Sequence, residues 1–391
     1  MLYISNLRQS LTVDDVPPHP TIILPNQAYS VQRIVTPEPL FSPARSFEAP
    51  LPKIRLRKRY LQGSLVALLC LFAGVWGWLQ LSRPLQLSPN QGGAELTLPA
   101  DFAAVPNVPE GVYNYGGSTA WALVRPKIDA AIAAAYPNLQ LRYIEAANGT
   151  PGSGQGIKML LEGKIDFAQS TRPLKDAEYK TAQNRGFKLT QYAVGIDGVA
   201  IVVHPSLNLP GITIPQLRQI YLGNVRNWQE LGGPDQAITP LSRQPGNSGT
   251  ADYFQEYVLQ NQSFGSTVTL VYSTTDALRQ FNRDRGAIYY ASAAEVLYQC
   301  LAKPIPLGLN PKRLIPPQLG ARVSSSDCPS TRNRPNLAAF RDGSYPMTRP
   351  LYVIVKENQD REQLIGDAYR DMMLSEQGQQ VLEQAGFVRI K

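Results

Sequence analysis

GSGQGIKMLLEGKIDFAQSTRPL, residues 152–174, decides the reading of this 391-residue chain. The glycine-rich turn Gly152-Ser153-Gly154-Gln155-Gly156 runs into an apolar-periodic segment, Gly156 to Leu161, that reads as a helix stopping at Gly163. Ile165-Asp166-Phe167-Ala168 then reads as a short strand opening into the polar loop Gln169-Ser170-Thr171-Arg172. Glycines let a backbone approach a ligand closely. A helix that starts there offers free N–H groups and the positive end of its dipole. Ser and Thr add hydroxyl donors. Two more segments share the design: Gly116-Gly117-Ser118-Thr119, and Gly246-Asn247-Ser248-Gly249-Thr250 with Arg243 just ahead of it. Three such starts look like a cage for a small oxyanion.

Outward from these loops the chain alternates strand and helix. Val112–Tyr115, Leu139–Glu145, Ile238–Ser242, Gly286–Tyr290 and Pro350–Lys356 read as strands. Trp121–Ala135, Pro215–Leu222 and Ala251–Leu259 read as helices, with Pro126 near the first turn or at a kink. Tyr192 to His204 is a long β-type run, and Ser375–Gln380 falls in a terminal helix. This is α/β order with polar loops at the carboxyl ends of strands. Trp121, Trp228 and Tyr289 read as core. Asp166 and Asp197 read as structural carboxylates, and Arg172 and Arg349 as partners in ion pairs between elements.

The first 110 residues differ in character. Residues 1–61 are Pro-rich with few periodic runs and form no packed core by composition. They hold eight Lys/Arg against four Asp/Glu, half of the net charge of +8. SLVALLCLFAGVWGWLQL, residues 64–81, is uncharged and just long enough to cross a bilayer as a helix. The basic cluster Lys53–Arg59 before it predicts a cytoplasmic N-terminus and an extracytoplasmic remainder. A cleaved signal peptide would have to begin its charged region some fifty residues in, so an uncleaved single-pass anchor spanning 62–81 is preferred. Residues 82–110 read as a Pro/Gly-rich linker, and 111–391 as the globular part.

Composition also excludes classes. No basic stripe with interleaved aromatics suggests nucleic acid. His19 and His204 are far apart and no Cys-x-x-Cys occurs, so neither a metal nor a cofactor is expected. Cys300 and Cys328 read either as a disulfide, if this part lies outside the cytoplasm, or as two unrelated thiols. Ser118, Ser153 and Ser248 have no evident His partner, and no Walker A motif is present, so no enzymatic activity is expected.

Read in order, these motifs resemble the phosphate-binding proteins of ABC uptake transporters, within the type II periplasmic-binding-protein superfamily. Residues 152–174 are similar to that family's Gly-Ser-Gly helix and its Asp-x-Ala-x-Ser-Ser-Arg stretch. ITIPQLRQIYLGNVRNWQELGG, residues 212–233, resembles its second-lobe helix and Gly-x-x-x-x-Trp turn, and Arg243 with Ser248-Gly249-Thr250 its Arg plus Ser-Gly-Thr signature. GAIYYAS, YPMTRPLYV and SEQGQQVLEQAGFV follow in the same order. The resemblance implies two α/β lobes, about 111–197 with 345–391 and about 198–344, joined by a two-stranded hinge that closes over the ligand. The chain would cross near Tyr192–Val203 and return near Tyr345–Lys356. It implies phosphate contacts from Ser118, Thr119, Ser153, Gly154, Ser170 and Thr171 in the first lobe, and from Arg243, Ser248, Gly249 and Thr250 in the second. It further implies a monomer that delivers inorganic phosphate to ABC permease subunits at a bacterial inner membrane. An anion sensor or assembly protein, or a receptor for sulfate or molybdate, are the alternatives. Two departures stand out. Thr171 holds the place where some relatives carry a proton-accepting Asp, and one extra residue separates Arg243 from the Ser-Gly-Thr triplet.

Overall fold

Strand and helix alternate through the computed structural model, which describes residues 99–390 apart from 148, 325 and 329. The tail, the apolar run 64–81 and most of the linker lie outside the described residues. Among those described, no helix is long and apolar enough to cross a membrane. Gly111–Gly117 (β1) pairs in parallel with Leu139–Tyr143 (β2) on one side and Phe167–Ser170 (β3) on the other. The long strand Lys188–Val203 (β4) is followed by the short strand Ile212–Thr213 (β5), then Thr239–Ser242 (β6), Thr269–Leu270 (β7) and Ala287–Ser292 (β8). Lys303–Pro304 (β9) pairs with β4, and Leu307–Asn310 (β10) with Arg313–Ile315 (β11) joins β5 in a separate three-stranded sheet. Thr348–Glu357 (β12) returns antiparallel between β3 and β4.

β4 is the strand that positions everything else. Residues 188–198 pair with β12, whereas Val199–Val203 pair with β8. The change of partner falls between Gly198 and Val199, next to Asp197. There the Asp197 carboxylate accepts from Arg349 Nη2 at 2.9 Å and Nε at 3.1 Å, and from the Ser292 hydroxyl at 2.6 Å. Removing one partner from so buried a pair would strand the other charge. Burial raises the Asp197 pKa while Arg349 lowers it. A Cβ on Gly198 would lie 2.5 Å from the Phe340 ring, so this crossing admits no side chain.

Hydrophobic packing divides on either side of that point. Val199–Val203, Trp228, Phe254, Tyr289, Tyr290 and Phe340 belong to one core. Along β12, Leu351, Val353 and Val355 pack into a second core with Trp121 and Phe167, whereas Ile354 packs with Ile157 and Leu160 in a third. Alternation along a strand places those two cores on opposite faces of the sheet. Phe167 stacks between Tyr115 and Tyr369 with ring centroids 5.2 and 4.5 Å apart, contacts worth about 0.5–1.5 kcal/mol each beyond area.

Several boundaries differ from those expected, each for a physical reason. Thr119–Trp121 is a 3-10 turn, and the helix begins only at Arg125, because Pro126 is tolerated in a first turn whose N–H groups need no partner. The helix after the second glycine loop begins at Ser153, not Gly156. Its glycines serve close packing: a Cβ on Gly156 would lie 2.4 Å from Gly117 Cα. Ser375 caps the helix Glu376–Gln384 from outside, its hydroxyl accepting the Gly378 N–H. Cys300 and Cys328 are bonded, with Cα atoms 5.5 Å apart, resolving that ambiguity in favour of a disulfide.

Candidate functional site

The parallel strands β1 and β3 end on the same edge, at Gly117 and Ser170, and their next residues form the floor of the site. Ligands bind such sheets in the crevice beyond the strands' carboxyl ends. Thr171 is the hub. Its Oγ1 lies 3.2 Å from Ser118 Oγ and 3.3 Å from Ser153 Oγ, and its N–H donates to Ser153 Oγ at 3.1 Å. All three side chains are buried. Hydroxyl hydrogens rotate, so the same cluster can turn its donors outward to an anion.

The other side of the site comes from the end of β6. Ser248 caps the helix Gly249–Tyr257 by accepting the Ala251 N–H at 3.3 Å. Gly249 stands directly on the hydroxyl cluster: a Cβ there would lie 2.3 Å from Ser153 Oγ and 2.7 Å from Thr171 Oγ1. The helix N-terminus and the three hydroxyls therefore face one another with backbone closeness that only glycine permits. Thr250, half-buried, occupies the same first turn. The buried Arg243 spans the two sides. Its Nη1 donates to Thr119 Oγ1 at 2.7 Å, its Nη2 donates to the Pro151 carbonyl, and its Nε is buried without a partner among the described residues. An unsatisfied buried guanidinium N–H is costly unless something accepts from it.

Two expected contact residues are engaged elsewhere. The Ser170 hydroxyl donates to the Arg172 carbonyl at 2.7 Å and accepts the Arg172 N–H at 3.2 Å, closing its own turn. The Gly154 N–H donates to the Asn247 carbonyl at 3.0 Å, and a Cβ on Gly154 would meet the Gly246 carbonyl oxygen. The second and third glycine loops thus pack backbone to backbone, joined also by Gln155 Nε2 donating to Asn247 Oδ1 at 3.1 Å.

Charged neighbours frame the site. Arg172 donates to Glu178 through Nη1 and Nη2, at 2.9 and 2.7 Å, and to Asp252 through Nε at 2.8 Å. Glu295, absent from the sequence reading, accepts from the Thr274 hydroxyl at 3.3 Å. Lost solvation raises its carboxyl pKa, and Arg243 pulls it back down. Arg125 closes the floor from behind, donating to the Ser118 carbonyl at 3.1 Å and to Gln169 Oε1 at 3.2 Å, with its guanidinium 3.5 Å from the Tyr143 ring centroid. Neither Asp252 nor Glu295 carries a motif that would have singled it out: an acid in the first turn of a helix reads as ordinary dipole compensation. His204 sits apart, its Nδ1 2.7 Å from Ser206 Oγ and also accepting the Ser206 N–H, a local turn after β4. Beside Thr171 lies a cavity of about 460 Å³ lined by Arg172, Tyr253, Tyr257, Arg349 and Tyr352.

Alternating strands and helices, with donors converging beyond the carboxyl ends of the strands, are the form of the periplasmic-binding-protein-like α/β class. The model of the PBP superfamily domain matches residues 114–377, and the chain belongs to that superfamily. Among curated relatives it is similar to the phosphate-binding protein PstS of Staphylococcus epidermidis, 26% identical over 246 residues that cover 62% of this chain and 69% of that protein. PstS of Staphylococcus haemolyticus is 25% identical over 284 residues, 70% of this chain and 79% of that one. Two solved structures share the fold. One is a phosphate ABC transporter substrate-binding protein with bound phosphate from Clostridium perfringens, with TM-score 0.57, 22% identity and coverage of 72% of this chain and 100% of that chain. The other is an ABC-type phosphate transport receptor from Vibrio cholerae, with TM-score 0.51, 21% identity and coverage of 71% and 100%.

Proposed function

We propose that this protein is an extracytoplasmic binding protein that captures inorganic phosphate between two lobes and delivers it to ABC permease subunits. The observation that carries the reading is Arg243. Its guanidinium is buried, its Nε lacks a partner among the described residues, and its Nη1 reaches Thr119, which follows Ser118 directly. A phosphate seated there would accept from Arg243, from the hydroxyls of Ser118, Thr119, Ser153 and Thr171, and from the helix N-terminus at Ser248, Gly249 and Thr250. Ser170 and Gly154 would join only if their present bonds rearranged. Closure of the lobes about the β4–β12 crossing would exclude water and strengthen every such contact. The relatives' names support phosphate as the ligand.

No bond is made or broken in this reading; the chemistry is recognition alone, without a cofactor. The run 64–81 would hold the chain in the bacterial inner membrane, with 1–61 cytoplasmic and the protein a monomer. Resistance to alkaline extraction from membranes tests that anchor. The test of function is calorimetric titration of the full chain with phosphate and with sulfate, at pH 7 and 8.5, after carried-over anion is removed by partial unfolding. Saturable one-to-one phosphate binding is expected, and its absence would sink the proposal. Equal sulfate binding would favour a general oxyanion receptor, a reading suggested by the hydroxyl of Thr171 where a carboxylate could discriminate.

A further inference from the structure

We infer that Asp252 is a positioning residue that couples the second lobe's anion loop to closure over the first lobe. The inference rests on the phosphate-binding reading above. Asp252 lies in the first turn of the helix Gly249–Tyr257, with its side chain 8% exposed. Its two oxygens do different work. Oδ1 accepts the Gly246 N–H at 2.6 Å, fixing the loop between Arg243 and Ser248. Oδ2 accepts from Arg172 Nε at 2.8 Å and from Lys175 Nζ at 3.2 Å, both on the opposite lobe. Arg172 follows Thr171 directly, so the bond pins the second-lobe loop beside the hub of the hydroxyl cluster.

The contact is built to be made and broken. Arg172 also donates to both Glu178 oxygens and to the Pro173 carbonyl at 2.8 Å, all on its own lobe. If the lobes part, Arg172 keeps its orientation and a counter-charge, and the Gly246 loop keeps its bond to Asp252. Opening therefore leaves Arg172 paired with Glu178, which removes its share of the penalty that makes most buried pairs costly to break. The Arg172–Asp252 bond, like the Gly154 and Gln155 bonds to Asn247, is made only with the lobes together, so its free energy biases the equilibrium toward closure. Arg243 differs in kind, because its bonds across the lobes to Thr119 and Pro151 involve the group that would hold the anion. Lys175, half-exposed, adds little at physiological salt. A bond present only in the closed state governs escape of the ligand more than encounter.

The test uses the full chain in mild detergent and the variant Asp252→Asn. This variant keeps an acceptor for Gly246 and removes the charge facing Arg172. Stopped-flow rates with inorganic phosphate should show dissociation faster by roughly 10- to 100-fold, the worth of one charge-assisted hydrogen bond, with association within about threefold of wild type. Arg172→Met should reproduce the effect, and the double variant should add little to either single change. Spin labels at the exposed Gln140 and Gln229, with Cys70 replaced by Ser, report the distance between lobes. At equal phosphate that distance should lengthen in Asp252→Asn. Unchanged dissociation, or association slowed as much as dissociation is quickened, overturns the inference. If wild type itself takes up no phosphate, the functional reading falls separately. The distance measurement then decides: no lengthening in Asp252→Asn overturns the coupling.

Discussion

Gly249→Ala is a perturbation whose effects on folding and on binding should carry opposite signs. Gly249 is not among the glycines with positive φ, so alanine meets no backbone strain there. As the first residue of a nine-residue helix, alanine should favour the helix by up to about 1 kcal/mol. The added Cβ, however, would lie 2.3 Å from Ser153 Oγ and 2.7 Å from Thr171 Oγ1, whereas ordinary contact begins at 3.4 Å. Both hydroxyls are buried and bonded to each other, so neither can swing away freely. The two sides of the site must instead part by about 1 Å at the point where an anion would be gripped. Overpacking of this size costs about 1–3 kcal/mol, which corresponds to phosphate affinity weaker by roughly 10- to 100-fold. Calorimetry gives the affinity, and thermal unfolding without phosphate gives the stability, expected to equal or slightly exceed wild type. A phosphate Kd within twofold of wild type would refute the placement of this helix start at the site.

Other expectations follow from individual contacts. Arg243→Ala removes two or three charge-assisted bonds to the anion, each about 1.5–3 kcal/mol, so calorimetric phosphate affinity should fall by about 10²-fold or more with the fold retained. Asp197→Ala leaves Arg349 buried without its counter-charge and should destabilise by about 3–5 kcal/mol in urea unfolding. Reduction of the Cys300–Cys328 bond frees a 28-residue separation and should lower unfolding stability by about 3.5 kcal/mol, while phosphate affinity measured below the transition stays unchanged. Partial burial and Arg285 hold the His204 imidazole below its ordinary value near 6.5. The unfolded chain therefore binds the proton more readily, so stability falls as pH drops below about 6.5, and His204→Gln should remove that part of the slope.

The sequence made the loops visible because each carries a local signal: glycine beside hydroxyl residues, between a strand run and a helix run. Ser118, Ser153, Thr171, Arg243 and Gly249 do come together in one set of contacts. What local pattern does not encode is who stands opposite. Gly154 and Gly156 look like ligand-facing glycines, yet they are needed because the backbones of Gly246 and Gly117 press against them. Ser170 matches the motif as well as Thr171 does, but strand alternation turns its hydroxyl into its own turn. Asp252 and Glu295 were invisible for the same reason, since each acquires its role from a residue more than fifty positions away. The start of the helix at Arg125 followed from Pro126, whose effect on a boundary is readable in kind but not to the residue.

In the proposed complex an anion sits between the Arg243 guanidinium and the hydroxyls of Ser118, Ser153 and Thr171. Crystals grown with arsenate, an isostere of phosphate, test it directly, because the anomalous signal at the arsenic edge locates the ion independently of the protein atoms. One strong peak is expected within hydrogen-bond reach of Arg243 and of at least two of those hydroxyls, absent in Arg243→Ala crystals. A peak elsewhere, or one that survives that substitution unchanged, would contradict it.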